Sequence, residues 1–303
     1  MTILIAGGTG LLGTHLSQVL RLNGFTVAHL SRRKNLQAEY PAYLWDPEKD
    51  FVEEEAVEQA AVIINLAGAG IAAKRWTAAR KKHIIESRVN SNLLLKKAIL
   101  QKKEPTKIYI AASAIGYYGN RGEELLSEEA SPGETGYLPK VVTEWEHAIR
   151  EAATTGVRTV ALRVGIVLSP HGGALEKMLL PFEFFLGIYF GDGRQWYSWI
   201  HIADLCRMFL EAIKNEKMQG FYNAVAPNPV RNKDLVMALR EAIVKPALIS
   251  SAPAFALRAA MGEMAEMILD GAKVSPQKIM DAGFRFDHPE LLPALRDLLA
   301  RRV

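Results

Sequence analysis

A chain of 303 residues with 49% hydrophobic and 23% charged side chains has the composition of a globular protein, long enough for a large α/β domain with an appended lobe. The single cysteine, Cys206, excludes an internal disulfide framework, and no apolar run reaches the ~18 residues that a membrane helix needs. The net charge of +4 is a mild excess. Its basic clusters, SRRK (31–34) and KRWTAARKKH (74–83), carry no nucleic-acid-binding motif, so they point to an anionic small molecule rather than a nucleic acid.

The run TILIAGG (2–8) predicts a buried strand ending in glycines, and LLGTHLSQVLRLNG (11–24) has helical spacing that stops at Gly24. FTVAHLS (25–31) and AAVIINLAG (60–68) predict the next two strands. The second is a continuous apolar run of the kind buried on both faces. A long helical pattern covers about 75–101, followed by a strand over 107–113, a helix over 137–153 and a strand over 158–168. Strands alternating with helices at this spacing predict an α/β fold, a Rossmann-type doubly wound parallel sheet. After residue 225 the texture becomes helical, with prolines at the borders. The expected division is a nucleotide-binding domain over 1–225 and a smaller, mostly helical substrate-side lobe over 226–303, to which loop 169–195 contributes. No basic segment with a cleavage site precedes the first strand, so a cytoplasmic protein is expected.

Two features carry chemistry. Gly7-x-x-Gly10-x-x-Gly13 lies between the first strand and the first helix. There glycines permit a tight turn and close approach of a pyrophosphate, and the helix N-terminus supplies oriented N–H groups. The end of the second strand holds Ser31-Arg32-Arg33, where an NAD-preferring protein keeps an acid for the ribose hydroxyl. A serine and two guanidinium groups suit a 2′-phosphate instead, which predicts NADP(H).

The strings AGGTGLLG (6–13), INLAGAGI (64–71), RWTAARKKHIIESRV (75–89), SAIGYYG (113–119), LRVGIVLSPHGGAL (162–175), SWIHIAD (198–204) and GFRFDHPEL (283–291) together span nearly the whole chain. In them the sequence resembles the extended short-chain dehydrogenase/reductase superfamily. It is similar above all to an atypical epimerase-like branch of the NAD-dependent epimerase/dehydratase group that ends in a small domain of unknown function. The resemblance implies that Gly7, Thr9, Gly10, Leu12 and Gly13 hold the pyrophosphate, and that Ser31 and Arg32 meet the adenosine phosphate. It further implies that Leu66 and Ala67 border the adenine ribose, and that Arg88 and Val167 lie along the cofactor. Members often pair as homodimers through two long helices.

In the wider superfamily a serine after the fourth parallel strand, a tyrosine and a lysine four residues beyond it perform the proton transfer. Here Ser113 stands at the strand end, although alignment through YYG puts Ala114 there equally well. Tyr137 is followed by Lys140 at three residues with Pro139 between, and the fourth residue is Val141. Counting back from Glu144 puts Lys140 in the lysine position and Gly136 in the tyrosine position, so neither register supplies both groups. Tyr117, Tyr118, Glu144 and His201 are other candidates for the acid. Tyr197 replaces the arginine that clamps a nucleotide-sugar phosphate in the epimerases, which argues for a smaller substrate. No short spacing among the seven histidines suggests a metal. The expectation is an NADP(H)-binding oxidoreductase or epimerase-like protein with a non-standard dyad drawn from Ser113, Tyr137 and Lys140, acting on a small carbonyl or alcohol. A non-catalytic NADP(H) sensor is the alternative.

Overall fold

The structure, a computed structural model, describes residues 1–244 and 246–301; residues 245, 302 and 303 of the expected C-terminal lobe lie outside that description. The first part of the chain runs β1 (Thr2–Ala6), α1 (Leu11–Leu22), β2 (Thr26–Ser31), β3 (Ala42–Asp46), β4 (Phe51–Val52), α2 (Glu54–Glu58), β5 (Val62–Asn65), α3 (Ala78–Gln101) and β6 (Ile108–Ala114). A 3₁₀ turn over Ile115–Tyr118 leads to β7 (Leu125–Leu126), α4 (Tyr137–Ala153), β8 (Arg158–Val164), β9 (Ile166–Leu168), α5 (Gly173–Glu183) and β10 (Leu186–Phe190). Then come β11 (Trp196–Tyr197), β12 (Trp199–His201), α6 (Ile202–Lys214), β13 (Gly220–Ala224), β14 (Val230–Arg231), α7 (Asn232–Ile243) and β15 (Leu248–Ala252). The chain closes with α8 (Ala254–Met261), α9 (Glu266–Leu269), β16 (Lys273–Val274), α10 (Gln277–Asp281) and α11 (Leu291–Ala300).

Eight strands form one sheet in the order β13-β8-β6-β5-β1-β2-β3-β4. The pairs β1–β2, β1–β5, β2–β3 and β5–β6 are parallel, and β4 returns antiparallel to β3. Read from β3, the order runs outward through β2 and β1 and then reverses to β5, β6, β8 and β13, which is the Rossmann-type doubly wound arrangement. Ala6 registers with Asn65, so the turns leaving β1 and β5 lie side by side where the order reverses. Apolar side chains make this possible: Ile3, Leu4, Ile5, Ile63 and Ile64 are all fully buried, as strands covered on both faces require. Helix α1 buries Gly13, Leu16, Ser17 and Leu20, spaced at one helical face, and ends at Gly24 in the left-handed region (φ 81°).

Three predicted elements differ from those observed. Helix α3 begins at Ala78 rather than near 75, because the Thr77 hydroxyl caps it by accepting the Arg80 N–H. The strand expected over 158–168 breaks at Gly165, after which β9 pairs with β12 outside the main sheet. A side chain at 165 would meet the Ser198 carbonyl at 2.5 Å, so the break needs glycine. The helical texture expected after residue 225 is interrupted at Gly262 (φ 62°), which separates α8 from α9.

The chain divides into two compact units, each built from three segments: residues 1–113, 141–162 and 206–222, and residues 114–140, 163–205 and 223–303. The first holds β1 to β5, α1 and α3. In the second, residues 195–198 are laced to residues 268–274. Gln195 Nε2 and the Tyr197 hydroxyl both donate to the Ile268 carbonyl (2.8 and 2.9 Å), and the Ser198 hydroxyl donates to the Ala272 carbonyl (2.7 Å). No helix among the described residues is long and apolar enough to cross a membrane.

Candidate functional site

The glycine turn is the first element of the site. Gly7 takes the left-handed region (φ 80°), and its carbonyl accepts the Gly10 N–H at 3.1 Å. A Cβ on Gly7 would lie 3.0 Å from the Leu66 carbonyl, so this glycine lets the two turns touch. A Cβ on Gly13 would lie 2.4 Å from the Gly7 carbonyl oxygen, so the third glycine lets α1 start directly on the turn. Gly8 is equally constrained: a Cβ there would enter the buried His29 ring at 2.3 Å. Thr9 and Gly10 are exposed and Leu12 is half-buried in the first turn of α1, where N–H groups lack intrahelical partners. This is a ready cradle for a pyrophosphate.

Ser31 is the last residue of β2, beside this turn, and its hydroxyl accepts the Arg33 N–H at 3.2 Å. Arg32 and Arg33 are exposed, and among the described residues neither is held in an ion pair. Glu53, by contrast, is engaged by Lys34 (2.6 Å) and by the Leu44 N–H (2.8 Å). The strand end therefore presents a hydroxyl and two uncommitted guanidinium groups.

The loop after β5 is fixed from below by a residue that sequence reasoning passed over. Asn65 is buried; its Oδ1 accepts the Ala67 N–H (3.1 Å), and its Nδ2 donates to Ser91 (3.1 Å) and Tyr109 (3.2 Å). Burial pushes the Tyr109 hydroxyl well above the usual phenol range, so it stays protonated and donates to Asn92 at 2.6 Å. Arg88 is no free surface arginine. It donates to the carbonyls of Ala69 and Ile84 (both 3.0 Å), faces the Trp145 ring at 5.0 Å, and packs against Gly68, where an added Cβ would lie 3.0 Å from its guanidinium carbon. Leu66, Ala67 and the glycine turn are thus brought together, with Arg88 bracing the loop. Val167 is half-buried on β9, registered with Ile200.

The expected dyad residues have separate environments. Ser113 is buried, and its hydroxyl donates to Glu146 Oε1 at 2.8 Å. Glu146 is itself fully buried, with Arg150 at 3.5 Å. Tyr137 opens α4 and is buried, its N–H donating to Glu266 Oε2 at 3.3 Å, whereas Lys140 is exposed. Glu144 is exposed too. Of the other candidates, Tyr118 is sealed between Arg163 (2.9 Å) and Asn223 (2.6 Å), and its hydroxyl is pushed up to about 12 by burial against the pull of Arg163. Ser113→Ala should lower the unfolding temperature by several degrees, since a hydrogen bond to a buried carboxylate contributes about 1.5–3 kcal/mol. Thermal denaturation followed by circular dichroism checks this, and an unchanged midpoint would contradict it.

A cavity of about 130 Å³ lies within the second unit. Ile115 and Gly116, then Gly136, Leu138 and Pro139, Trp196 to Ser198, Glu266 and Met267, and Asp270 to Ala272 contribute to its wall, but Ser113, Tyr137 and Lys140 do not. Its titratable wall residues include Glu266 and Asp270, one helical turn apart. Burial and the neighbouring Glu266 charge raise the Asp270 carboxyl above the usual range, against an Asn120 hydrogen bond and the Arg258 charge. Tyr197, where the epimerases keep an arginine, turns its hydroxyl away to the Ile268 carbonyl.

His201, His288 and Asp297 converge, with donor atoms within 4.8 Å of one another. The proton placement opposes a metal. His201 Nδ1 accepts the Ala203 N–H (3.1 Å), so Nε2 keeps the proton and donates it to Asp297 (3.2 Å). Asp204 accepts the N–H groups of Asp287 and His288, both at 2.9 Å. These residues form a clasp on the 287–297 segment.

Residues 3–224 match the NAD dependent epimerase/dehydratase family, and residues 252–298 match the Domain of unknown function (DUF1731). The chain belongs to the NAD dependent epimerase/dehydratase family. It is 37% identical to the epimerase family protein YfhF of Bacillus subtilis, over 100% of this chain and 99% of that one. Among solved structures of this family it resembles human epimerase family protein SDR39U1 (isoform 2) with NADPH, at 31% identity, a TM-score of 0.89 and 99% of both chains. The nucleoside-diphosphate sugar epimerase of Corynebacterium glutamicum is 30% identical with a TM-score of 0.80, covering 99% of this chain but 58% of that one. The glycine turn, the β5 loop and the strand holding Ser31 all fall inside the epimerase/dehydratase match, and the Glu266–Ala272 segment falls inside the second.

Proposed function

We propose that the protein binds NADP(H) on the Gly7–Gly13 turn and passes a hydride to or from a small carbonyl or alcohol substrate. The observation that carries the cofactor choice is the end of β2, where Ser31, Arg32 and Arg33 stand with no carboxylate among them. A 2′-phosphate there gains charge-assisted hydrogen bonds, whereas the ribose hydroxyl of NAD(H) finds no acid to accept from it. The NADPH in the human relative's structure supports the same choice. A small substrate is supported by Tyr197, which stands where the epimerases keep the arginine that clamps a nucleotide-sugar phosphate.

Fluorescence titration with NADPH and NADH tests this. NADPH should bind more tightly, and Arg32→Ala should weaken NADPH by roughly 10- to 100-fold, from the loss of about 1.5–3 kcal/mol, while leaving NADH unchanged. Equal affinities for the two cofactors would overturn the reading. One observation favours a second reading, an NADP(H) sensor without turnover: of the expected dyad Tyr137 is buried whereas Lys140 is exposed. Tight NADPH binding without oxidation by any small carbonyl would support that alternative.

A further inference from the structure

Large apolar side chains scattered singly are ordinary on a protein surface, but a contiguous exposed group marks a contact site. In the second unit such a group stands where four elements end or begin, at the C-terminal ends of α5 and α7 and the first residues of β10 and β15. We propose that this face joins two copies of the chain across a two-fold axis.

Contiguity follows from the backbone. Leu186 registers with Leu248 across the parallel pair β10–β15, and the Leu248 N–H donates to the Phe185 carbonyl at 2.8 Å. Phe184 and Phe185 immediately precede Leu186, and Leu180 lies one helical turn before Phe184. Val244 follows the last turn of α7 and shares a shallow groove with Pro246 and Ala247, which lead directly to Leu248. Phe184 is 75% exposed, Phe185 59%, Leu248 70% and Val244 86%. At 150–250 Å² for an aromatic side chain, the two phenylalanines alone leave roughly 200–330 Å² open. With the four aliphatic residues added, the face exceeds the few hundred Å² that a monomer usually leaves bare.

The backbone carries a second, independent sign. Among the described residues only three that are not glycine take the left-handed region, and two of them are Phe185 (φ 59°) and Val244 (φ 56°). Both stand just past the C-terminus of a helix, a place that ordinarily takes glycine because a Cβ is strained there. An aromatic and a β-branched residue keep the strain here, yet both side chains lie in the open. Nothing in their own unit offsets the strain, whereas a partner that covers them would.

The charges around the face select the partner. In the turns that carry it, Glu176, Lys177 and Glu183 on α5 and Arg240 on α7 have no ion pair among the described residues, while Glu241 is held by Arg296 at 3.1 Å. Two free acids and two free cations make a rim without net charge. A second copy can meet each with its opposite. An anionic bilayer would find as much repulsion as attraction, and Glu183 would be drawn toward the acyl chains beside Phe184. The apolar face with its rim approaches the ~800 Å² that each partner gives to a standard interface. The superfamily's pairing helices offer less: among the described residues α3 exposes only Leu93 and Leu100 as large apolar side chains, and α4 none.

Sedimentation equilibrium of the full chain, from roughly 1 to 300 µM, tests this, with a monomer–dimer Kd expected at or below about 100 µM. A two-fold interface loses each side chain twice, so Phe184→Ser should raise Kd roughly 100-fold. Phe185→Gly should weaken the dimer in the same way and yet raise the thermal midpoint of the monomer, measured at the dilute end, by about 2–4 °C. Damage to the fold would not give that combination. Leu93→Ser with Leu100→Ser should leave Kd within about twofold. A wild type that stays monomeric throughout, or a dimer indifferent to Phe184→Ser, overturns the proposal. A lower midpoint in Phe185→Gly also overturns it, because Phe185 would then serve its own chain. Co-sedimentation of the wild type with phosphatidylglycerol vesicles, lost in Phe184→Ser, would assign the face to a bilayer instead.

Discussion

Replacing Gly13 by alanine is expected to abolish saturable NADPH binding and to destabilise the fold by about 3 kcal/mol. The cost arises from contact, since the new Cβ would lie 2.4 Å from the Gly7 carbonyl oxygen and 2.6 and 2.7 Å from the Gly8 Cα and carbonyl carbon. All three are backbone atoms of the turn, so no side-chain rotation relieves them. Helix α1 must lift from the turn, which carries its first N–H groups away from any phosphate that Gly7 and Gly10 cradle. Gly10 supplies the internal comparison. Its φ of −77° is open to any residue, and an added Cβ meets only the Gly7 carbonyl oxygen at 3.4 Å. Gly10→Ala should fold with nearly wild-type stability, and any loss of NADPH affinity it shows would come from the methyl group facing the ligand. Urea denaturation and fluorescence titration of both variants decide the matter; a Gly13→Ala protein with wild-type midpoint and affinity would refute the steric account.

The nucleotide half of the site was legible because its determinants are local. A glycine triplet, a strand end and a short loop each act through the backbone within a few residues, and continuous apolar runs such as VIIN mark strands buried on both faces. The doubly wound class of the sheet followed from the alternation of those runs with helices. The dyad region was not legible in the same way, because neither register read between Gly136 and Glu144 supplies both a tyrosine and a lysine. The partner of Ser113, Glu146, lies 33 residues away in sequence. Asn65 gave a weak local sign by standing before LAG, but its partners Ser91 and Tyr109 come from a helix and another strand. Gly165 and Gly262 illustrate the same limit, since each ends an apolar pattern that reads as continuous.

Acidification from pH 6.5 to about 4 is expected to remove roughly 3 kcal/mol of stability through His201 alone. Burial, reinforced by the neighbouring His288, pulls the His201 imidazole down from 6.5 to about 4, against the attraction of Asp297 and Asp204. The ring is 1% exposed, so solvent screens little of this. A histidine with a depressed folded value binds its proton in the unfolded chain first. Its contribution is therefore fully present above 6.5 and is lost as the pH falls through the folded value. His29, lowered by its own burial beneath the glycine turn, adds in the same direction. Attribution to His201 needs a variant that stops titrating but still reaches Asp297, and His201→Gln keeps a donor there. Its neutral-pH stability should fall because the Ala203 N–H loses its ring acceptor, yet its stability between pH 6.5 and 4 should decline less steeply than wild type. His288→Phe offers a ring in place of the one stacked at 3.7 Å and removes the neighbouring charge that lowers His201, so its decline should stop at higher pH and be smaller in total than that of the wild type. Urea unfolding at half-unit pH intervals measures all three slopes. Parallel curves for wild type and His201→Gln would mean that acid sensitivity resides elsewhere. A reduced slope in both variants would place it in the clasp that ties the 287–297 segment to His201 and Asp204.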